Sequence, residues 1–445
     1  MKKTIWSALN FTLIAAFALA ACTPGAAATS TPAPQPTEAI EATTAPEPTA
    51  APADTEAPAP TEEPAADVKT ITVWHQWDGT YLEAIQAAFD EYSVMHPDVK
   101  IDLSKPDDVS NALNVAIPAG EGPDIIGWAN DQIGTQAING NIVALDDYGV
   151  DQAFLESVYE PAGIAGVVWQ DKIWALPETQ EGIALVYNKD IVTDEYLPTD
   201  PTDFADLLAK ATAFHEANPD KYLVCNQGFG GSDAYHVAPV YFGFGVPSYV
   251  DDAGTAYMDT PEALAAANWL VEFSKVSPTE QTYDLCKAGL TEGTIGMWWT
   301  GPWAIAGLEA DSVNYGIVPM GKPFVGIKTL MLTKNAVDRG NAETALDIMK
   351  YFTSPEVQAK LALTNKTIPA QTAALADPEV AALATLAGFG NALNVGVPMA
   401  NTPFAGAQWG PVGDATVAIW TGAQTPEEAL AAAQAAIVDA IAQMQ

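Results

Sequence analysis

The chain has 445 residues, of which 56 are acidic and 18 are basic, so its formal net charge at pH 7 is −38. A surface this acidic repels nucleic acid and anionic membranes, which argues against both as partners of the folded protein. Arg339 is the only arginine. Because phosphate and carboxylate clamps usually rely on arginine, the composition favours a neutral ligand.

The N-terminus has the features of a targeting segment. Two lysines precede an uncharged apolar run from Ile5 to Ala21, and Leu19-Ala20-Ala21-Cys22 is typical of a lipobox. We predict a lipoprotein signal peptide over residues 1–21, and lipidation of Cys22 would hold the mature protein on the outer face of the cytoplasmic membrane, at the cell surface or in the periplasm. An ordinary secretory signal with an incidental cysteine is the alternative.

Composition changes sharply in residues 22–67. Beyond Cys22 this stretch consists almost entirely of Ala, Pro, Thr and acidic residues, without Lys, Arg or aromatics. Because it cannot bury enough apolar surface to order itself, we predict an extended tether between the membrane and the folded part of the chain.

Residues 68–445 are enough for two α/β domains with full cores. Thr70–Trp74 predicts a strand, Leu82–Tyr92 an amphipathic helix and Val99–Leu103 a second strand. Asp124–Trp128 predicts a third strand, so the folded part begins as a parallel, helix-covered sheet.

Strand and helix signals continue to alternate along the rest of the chain. Thr260, Ser354 and Thr425 each precede a Pro-Glu pair, which is typical of a helix start. Thr425 with Glu428 also fits a capping box. The pattern predicts two doubly wound α/β lobes. Further strands are predicted at Ile183–Tyr187, Tyr222–Cys225, Thr294–Trp299 and Gly316–Val318.

Motifs for metals, cofactors and common hydrolases are absent from the sequence. There is no C-x-x-C pair, phosphate loop, G-x-S-x-G or H-E-x-x-H, and the four histidines lack metal-ligand spacing. We predict neither a metal nor a cofactor. Cys225 and Cys286 form either one disulfide or two free thiols. The run Gly228–Gly231 predicts a flexible loop.

The segment Gly122–Asp131 carries the clearest functional signal. Trp128 follows a short apolar run, and Asp131 follows it three residues later. A pyranose ring has an apolar C–H face that can stack on an indole and a polar rim that a carboxylate can hydrogen-bond. The alternative interpretation is a core tryptophan beside a turn-capping aspartate.

Aromatic residues lie close to carboxylates elsewhere as well, and these segments together resemble a known family. Their order is that of bacterial extracellular solute-binding proteins of ATP-binding-cassette (ABC) sugar importers, most of all the maltose/maltodextrin-binding members. The matching segments are Ile71–Trp74, Gly122–Asp131, Val186–Asp190, Gly301–Trp303, Val313–Gly316 and Lys322–Gly326.

This resemblance implies a two-lobed α/β fold of the type II periplasmic-binding-protein class. Each lobe would be a helix-covered, mainly parallel sheet, with the ligand cleft between the lobes. The N-lobe would comprise residues 68–180 and 327–379, and the C-lobe residues 181–326 and 380–445.

The resemblance also implies a set of ligand-binding residues. The sugar-stacking aromatics would be Trp128, Tyr235, Trp303 and Trp409. The hydroxyl-binding acids would be Asp78, Asp131, Glu181 and Asp233, and His236 would retain a contact. The sequence departs from the maltose-binding pattern at Gly79, Gln132 and Gly413, where those relatives carry basic residues.

By resemblance, the protein would be a monomeric lipoprotein that captures a neutral oligosaccharide, a maltose/maltodextrin-type α-glucoside, by closure of the lobes. It would deliver the sugar to the transmembrane permease subunits of an ABC importer. One alternative keeps the fold but binds another sugar, such as trehalose, or a polyol. The other is a secreted glycoside hydrolase that uses two of the carboxylates as acid and base.

Overall fold

The structure, a computed structural model, describes residues 68–107 and 109–444. The predicted signal peptide over residues 1–21, the lipidation site Cys22 and the predicted tether over residues 22–67 lie outside the described residues. The strands are β1 (Lys69–His75), β2 (Val99–Ser104), β3 (Ile125–Ala129), β4 (Val168–Trp169), β5 (Lys172–Ile173), β6 (Leu176–Glu181), β7 (Ala184–Asn188), β8 (Tyr222–Cys225), β9 (Ile295–Thr300), β10 (Tyr315–Val318), β11 (Phe324–Leu332), β12 (Ile368–Pro369) and β13 (Val397–Pro398).

Helices separate most of these strands. They are α1 (Gly79–Met95), α2 (Val109–Ala119), α3 (Ile133–Ile138), α4 (Gln152–Val158), α5 (Pro161–Val167), α6 (Phe204–Ala217), α7 (Gln227–Gly230), α8 (Ala234–Gly243), α9 (Pro261–Phe273), α10 (Tyr283–Glu292), α11 (Ile305–Ala310), α12 (Lys334–Asp338), α13 (Ala342–Phe352), α14 (Pro355–Asn365), α15 (Thr372–Leu375), α16 (Pro378–Ala381), α17 (Ala384–Leu393), α18 (Trp409–Trp420) and α19 (Pro426–Met444). Among the described residues, none of these helices is long and apolar enough to cross a membrane.

The first sheet has the strand order β12-β6-β11-β3-β1-β2, with β13 alongside β11. β1 is parallel to both β2 and β3, which confirms the predicted βαβ beginning. β11 is antiparallel to β3 and to β6. The predicted mainly parallel arrangement is therefore wrong for this sheet. The reason is that β6 leaves for the second sheet and β11 returns from it, so the two strands run in opposite directions.

The second sheet has the order β10-β7-β9-β8. Only β8 and β9 are parallel, while β7 runs antiparallel to both of its neighbours, so this sheet is also mixed. The two sheets are linked at two places, from β6 to β7 and from β10 to β11.

Each sheet has its own hydrophobic core. Ile71, Val73, Ile125 and Ile126 are buried in the first core, which also packs against α1 and α13. The core of the second sheet includes Trp299, with side chains from α6, α8, α9, α18 and α19. Burial follows the sequence pattern, which alternates in β1 and is a continuous apolar run in β3.

The predicted helix starts are confirmed. The side chains of Thr260 and Ser354 accept hydrogen bonds from the backbone N–H groups of Ala263 and Val357. Thr425 and Glu428 form the reciprocal bonds of a capping box, at 3.2 and 3.3 Å. These local signals place helices α9, α14 and α19.

The glycine-rich run does not form the flexible loop that was predicted. Residues 227–230 form the short helix α7, and the Asn226 side chain accepts a hydrogen bond from the N–H of Gly228 at 2.8 Å. Phe229 is fully buried and stacks on Trp420 with ring centroids 4.8 Å apart. Burial of this one aromatic ring fixes the segment despite its glycines.

Cys225 and Cys286 form a disulfide, which resolves the alternative left open by the sequence. The bridge joins the end of β8 to α10, and both cysteines are buried.

Candidate functional site

A cavity of about 970 Å³ opens between the two sheets. One side is formed by the ends of β1, β3 and β6 together with β11, and the other by α8, α10, α18 and the turn that contains Trp303. The carboxyl ends of parallel strands are where open α/β sheets usually bind ligands. Of the predicted site residues, those that line the cavity are Asp78, Trp128, Asp131, Glu181, Asp233, Tyr235, Trp303 and Trp409.

Four aromatic side chains face this cavity while remaining half-buried, namely Trp128, Tyr235, Trp303 and Trp409. The Tyr235 ring stacks on Phe324, with centroids 5.9 Å apart and an angle of 14° between the planes, and its hydroxyl donates to the Glu181 carbonyl at 3.3 Å. Trp303 lies 6.2 Å from the Tyr235 ring, and Trp409 meets Phe324 edge-on at 5.5 Å. Neighbouring rings pack against Tyr235, Trp303 and Trp409, so each of these three presents a preformed apolar face.

Asp131 is held in a three-residue turn directly after β3. Its Oδ2 accepts from the Trp409 indole N–H at 3.0 Å and from Gln132 Nε2 at 3.2 Å, while Oδ1 is buried and has no hydrogen-bond partner among the described residues. Burial raises the pKa of Asp131 to about 6, although the hydrogen bonds from Gln132 and Trp409 oppose this rise. A buried carboxylate oxygen with unused acceptor capacity at a cavity wall is suited to a ligand hydroxyl.

Asn130 explains why this turn is so well fixed. Its side chain is fully buried, donates to the Met399 carbonyl at 2.9 Å and accepts from the backbone N–H of Ile327 at 3.0 Å. The end of β3 is therefore tied to β11 and to the segment after β13.

A cluster of charged groups lies on the wall between β6 and β11. Lys328 Nζ is 3.0 Å from Glu181 Oε1 and 4.2 Å from the centroid of the Tyr81 ring. The Tyr81 hydroxyl donates to Glu178 Oε1 at 3.2 Å, and Glu178 is only 1 % exposed. Burial raises the pKa of Glu178 to about 7; the charge of Lys328 lowers it and that of Glu181 raises it.

Sequence reasoning missed both Lys328 and Glu178. The available signal was a lysine inside the otherwise apolar run of β11, since a charge in a buried strand needs a partner.

Asp233 and His236 form a pair at the start of α8. Asp233 Oδ1 accepts from the His236 backbone N–H at 3.1 Å, and its Oδ2 lies 2.8 Å from His236 Nδ1 and 3.1 Å from Gln227 Nε2. Burial opposes ionisation, but the charge and hydrogen bonds of His236 hold the pKa of Asp233 well below its usual range. His236 itself does not line the cavity, and its ring packs edge-on against Tyr235 and Trp303.

The mouth of the cavity is more polar. The side chain of Asp78 is 80 % exposed and pairs with Lys105, whereas the adjacent Trp77 is buried against His75. On the opposite rim Lys287 pairs with Asp311 at 3.2 Å. Within residues 68–107 and 109–444, no group of three His, Cys, Asp or Glu side chains could hold a metal ion.

Comparison with known proteins defines the class to which this fold and cavity belong. The family model described as bacterial extracellular solute-binding protein matches residues 87–388. The chain belongs to the bacterial extracellular solute-binding family, and the predicted family resemblance is confirmed.

Named relatives include several oligosaccharide-binding proteins. The maltotriose-binding protein of Pyrococcus abyssi is 30 % identical over 356 residues, which cover 77 % of this chain and 75 % of that protein. The galactooligosaccharide-binding protein of Bacillus subtilis is 24 % identical over 335 residues, 70 % of this chain and 76 % of that protein.

Solved structures show the same fold. The maltose/maltodextrin-binding domain from Bdellovibrio bacteriovorus, bound to maltotriose, has a TM-score of 0.75 at 21 % identity, covering 84 % of this chain and all of that one. The Thermus thermophilus maltotriose-binding protein has a TM-score of 0.71 at 20 % identity, over 83 % of this chain and all of that one. The chain has the two-lobed periplasmic-binding-protein fold, as predicted.

Proposed function

We propose that this protein is the substrate-binding component of an ABC importer, and that it captures a neutral oligosaccharide of the maltose/maltodextrin type in the cavity between the two sheets. The observation that carries the proposal is the joint placement of four half-buried aromatic rings and several carboxylates around one cavity. Sugar rings need both kinds of contact, because their C–H faces stack on aromatics while their hydroxyls need fixed acceptors and donors.

Cavity size agrees with an oligosaccharide rather than a single sugar. Its volume of about 970 Å³ lies at the upper end of the range of roughly 300–1,000 Å³ that small-molecule sites occupy. The relatives named for maltotriose favour an α-glucoside, and the galactooligosaccharide-binding relative makes other glycans necessary comparisons.

The two lobes in this proposal comprise residues 68–180 with 327–379, and residues 181–326 with 380–445. The links from β6 to β7 and from β10 to β11, together with a third crossing near Val380, would serve as hinges. Closure around the sugar would exclude water, and hydrogen bonds to the sugar would strengthen in the drier site. The closed form would then be recognised by the transmembrane permease subunits.

In the same proposal the protein is a monomer held at the outer face of the cytoplasmic membrane by lipid on Cys22. Metabolic labelling with a palmitate analogue tests this part: the wild type should be labelled and retained with membranes, and Cys22→Ala should not. Labelling of the Cys22→Ala variant would contradict the anchor.

Calorimetric titration with maltose, maltotriose, trehalose, cellobiose and glucose tests the ligand. We expect binding of maltotriose, and a loss of about tenfold or more in affinity for Trp303→Ala and for Asp131→Ala. Stacking on an aromatic ring is worth about 1–3 kcal/mol in nucleic-acid binders, and a hydrogen bond to a charged group is worth about 1.5–3 kcal/mol. Trp169→Ala, in the β4–β5 hairpin away from the cavity lining, is the matched control. If the protein binds none of the α-glucosides, the proposed ligand class is wrong. If both cavity variants bind maltotriose with unchanged affinity, the proposed binding site is wrong.

We propose binding without turnover. Incubation with malto-oligosaccharides followed by chromatography of reducing ends checks this. New reducing ends that disappear in Glu181→Gln would instead identify a hydrolase.

A further inference from the structure

The ammonium group of Lys328 is largely buried in the cavity wall, and its contacts indicate a role in ligand binding. The side chain of Lys328 is 13 % exposed and that of its partner Glu181 is 7 % exposed, yet both residues line the cavity. A buried ion pair by itself adds little stability, because desolvation of both charges offsets their attraction. Its position at the wall of a binding cavity points to a role in recognition.

We propose that Lys328 and Glu181 act as a matched donor and acceptor for two neighbouring hydroxyls of one sugar ring. Lys328 would then be a specificity-determining residue for the ligand. This inference rests on the proposed oligosaccharide function and adds to it a requirement for a free vicinal diol at one ring.

Donor and acceptor are at the right separation. Lys328 Nζ lies 3.0 Å from Oε1 of Glu181, so the ammonium and the carboxylate are side by side and can contact hydroxyls on adjacent carbons of one ring. One hydroxyl can therefore accept from the ammonium while the next donates to the carboxylate. The pair carries no net charge, so it suits a neutral ligand.

Lys328 retains donor capacity in this arrangement. An ammonium has three N–H donors. One is directed at Glu181, and the Tyr81 ring occupies a second side at 4.2 Å from its centroid. Lys328 itself lines the cavity, and the Trp303 ring centroid lies 5.8 Å from its ammonium. A sugar stacked on Trp303 would bring its hydroxyls to this donor.

Glu181 is also held ready to accept. Its contacts with Thr179, at 3.3 Å, and with Lys328 both involve Oε1. The second oxygen, Oε2, is the one that would receive a hydroxyl proton. Tyr81 also lines the cavity beside the lysine, and its hydroxyl donates to Glu178, which is buried and is not part of the cavity lining.

The test combines protein variants with sugars that each lack one hydroxyl. Calorimetry would measure maltotriose and its monodeoxy series against the wild type, Lys328→Met and Glu181→Gln. Methionine keeps the length of the side chain and removes the ammonium. Lys334→Met is the matched control, because Lys334 pairs with Asp338 on the surface, outside the cavity lining.

We expect Lys328→Met to weaken maltotriose binding about tenfold to a hundredfold, the usual range for a hydrogen bond to a charged group. For the deoxy sugar that lacks the hydroxyl contacted by Lys328, Lys328→Met should weaken binding less than about twofold, because that contact is already missing. For the deoxy sugar that lacks the hydroxyl on the adjacent carbon, the loss of affinity caused by Glu181→Gln should likewise fall below about twofold. Lys334→Met should bind like the wild type.

A structural role alone gives a different pattern. If Lys328 only neutralises its surroundings, Lys328→Met weakens every sugar by the same factor, and the proposal fails. Lys328→Met with Glu178→Gln removes one surplus buried negative charge, so it provides a folded protein for the same measurement if the single variant does not fold. The proposal is also overturned if the hydroxyl that couples to Lys328 and the hydroxyl that couples to Glu181 are not on adjacent carbons of one ring.

The two proposals fail separately. A wild-type protein that binds no malto-oligosaccharide refutes the proposed function and this inference together. A wild type that binds maltotriose without any coupling to Lys328 refutes the inference alone.

Discussion

Replacement of Glu178 by glutamine should change how stability depends on pH. Glu178 is almost fully buried beneath Tyr81 and close to Glu181 and Lys328, and burial raises its pKa to about 7. Glutamine has the same shape and its carbonyl oxygen can still accept from the Tyr81 hydroxyl. The substitution therefore removes the titration while it keeps the packing and the hydrogen bond.

The magnitude follows from linkage. The folded-state pKa of about 7 lies above the ordinary value of 4.5, so the folded protein holds a proton over a range of pH in which the unfolded chain has lost it. The stability contribution is fully present below about pH 4.5 and is lost as the pH rises through about 7. At 1.36 kcal/mol per pKa unit, the total loss is about 3 kcal/mol.

Urea unfolding of the wild type and Glu178→Gln between pH 4.5 and 8 measures this difference directly. The free energy of unfolding of the wild type should fall relative to the variant by about 3 kcal/mol across that range. Groups that do not interact with Glu178 titrate alike in both proteins, so their contributions cancel. Parallel curves, or a wild type that gains relative stability as the pH rises, would refute the reasoning.

Three further predictions concern the disulfide and Asp131. Cys225 and Cys286 are separated by 61 residues. If the disulfide acts by restricting the unfolded chain, replacing both cysteines by serine should lower the free energy of unfolding in urea by about 4 kcal/mol. An unchanged urea midpoint would contradict this explanation. Trp409→Phe keeps an aromatic face but removes the indole donor to Asp131. Calorimetry should therefore show sugar affinity reduced about tenfold or more. Equal affinity would mean that only the aromatic ring contributes. Because burial raises the pKa of Asp131 to about 6, sugar affinity should fall as the pH drops from 7 to 5 and the carboxylate is protonated. If the same pH dependence of affinity persists in Asp131→Asn, another group causes it.

Much of the fold could be predicted because its signals are local. The predicted strands agree with β1, β2, β3, β7, β8, β9 and β10 to within one residue at either end. Helix starts were also readable, because hydroxyl caps and N-terminal prolines satisfy the backbone within a few residues. Trp128 and Asp131 are neighbours in sequence, so the turn that brings them to one wall is local as well.

The features that were not predicted depend on contacts between distant segments. β6 and β11 carry Glu181 and Lys328, and only their pairing in the first sheet brings the two charges together. The disulfide likewise depends on how α10 packs against β9 beside β8. The glycine run at residues 228–231 reads as a loop until the burial of Phe229 is known. Sequence patterns do not contain these long-range constraints.

A crystal structure of the protein with maltotriose tests the central claim most directly. The proposal predicts a sugar in the cavity between the two sheets, with rings stacked on faces such as Trp303 and Tyr235 and a hydroxyl within hydrogen-bond distance of Asp131. A maltotriose bound elsewhere on the protein, or a cavity that stays empty at saturating sugar, would contradict it.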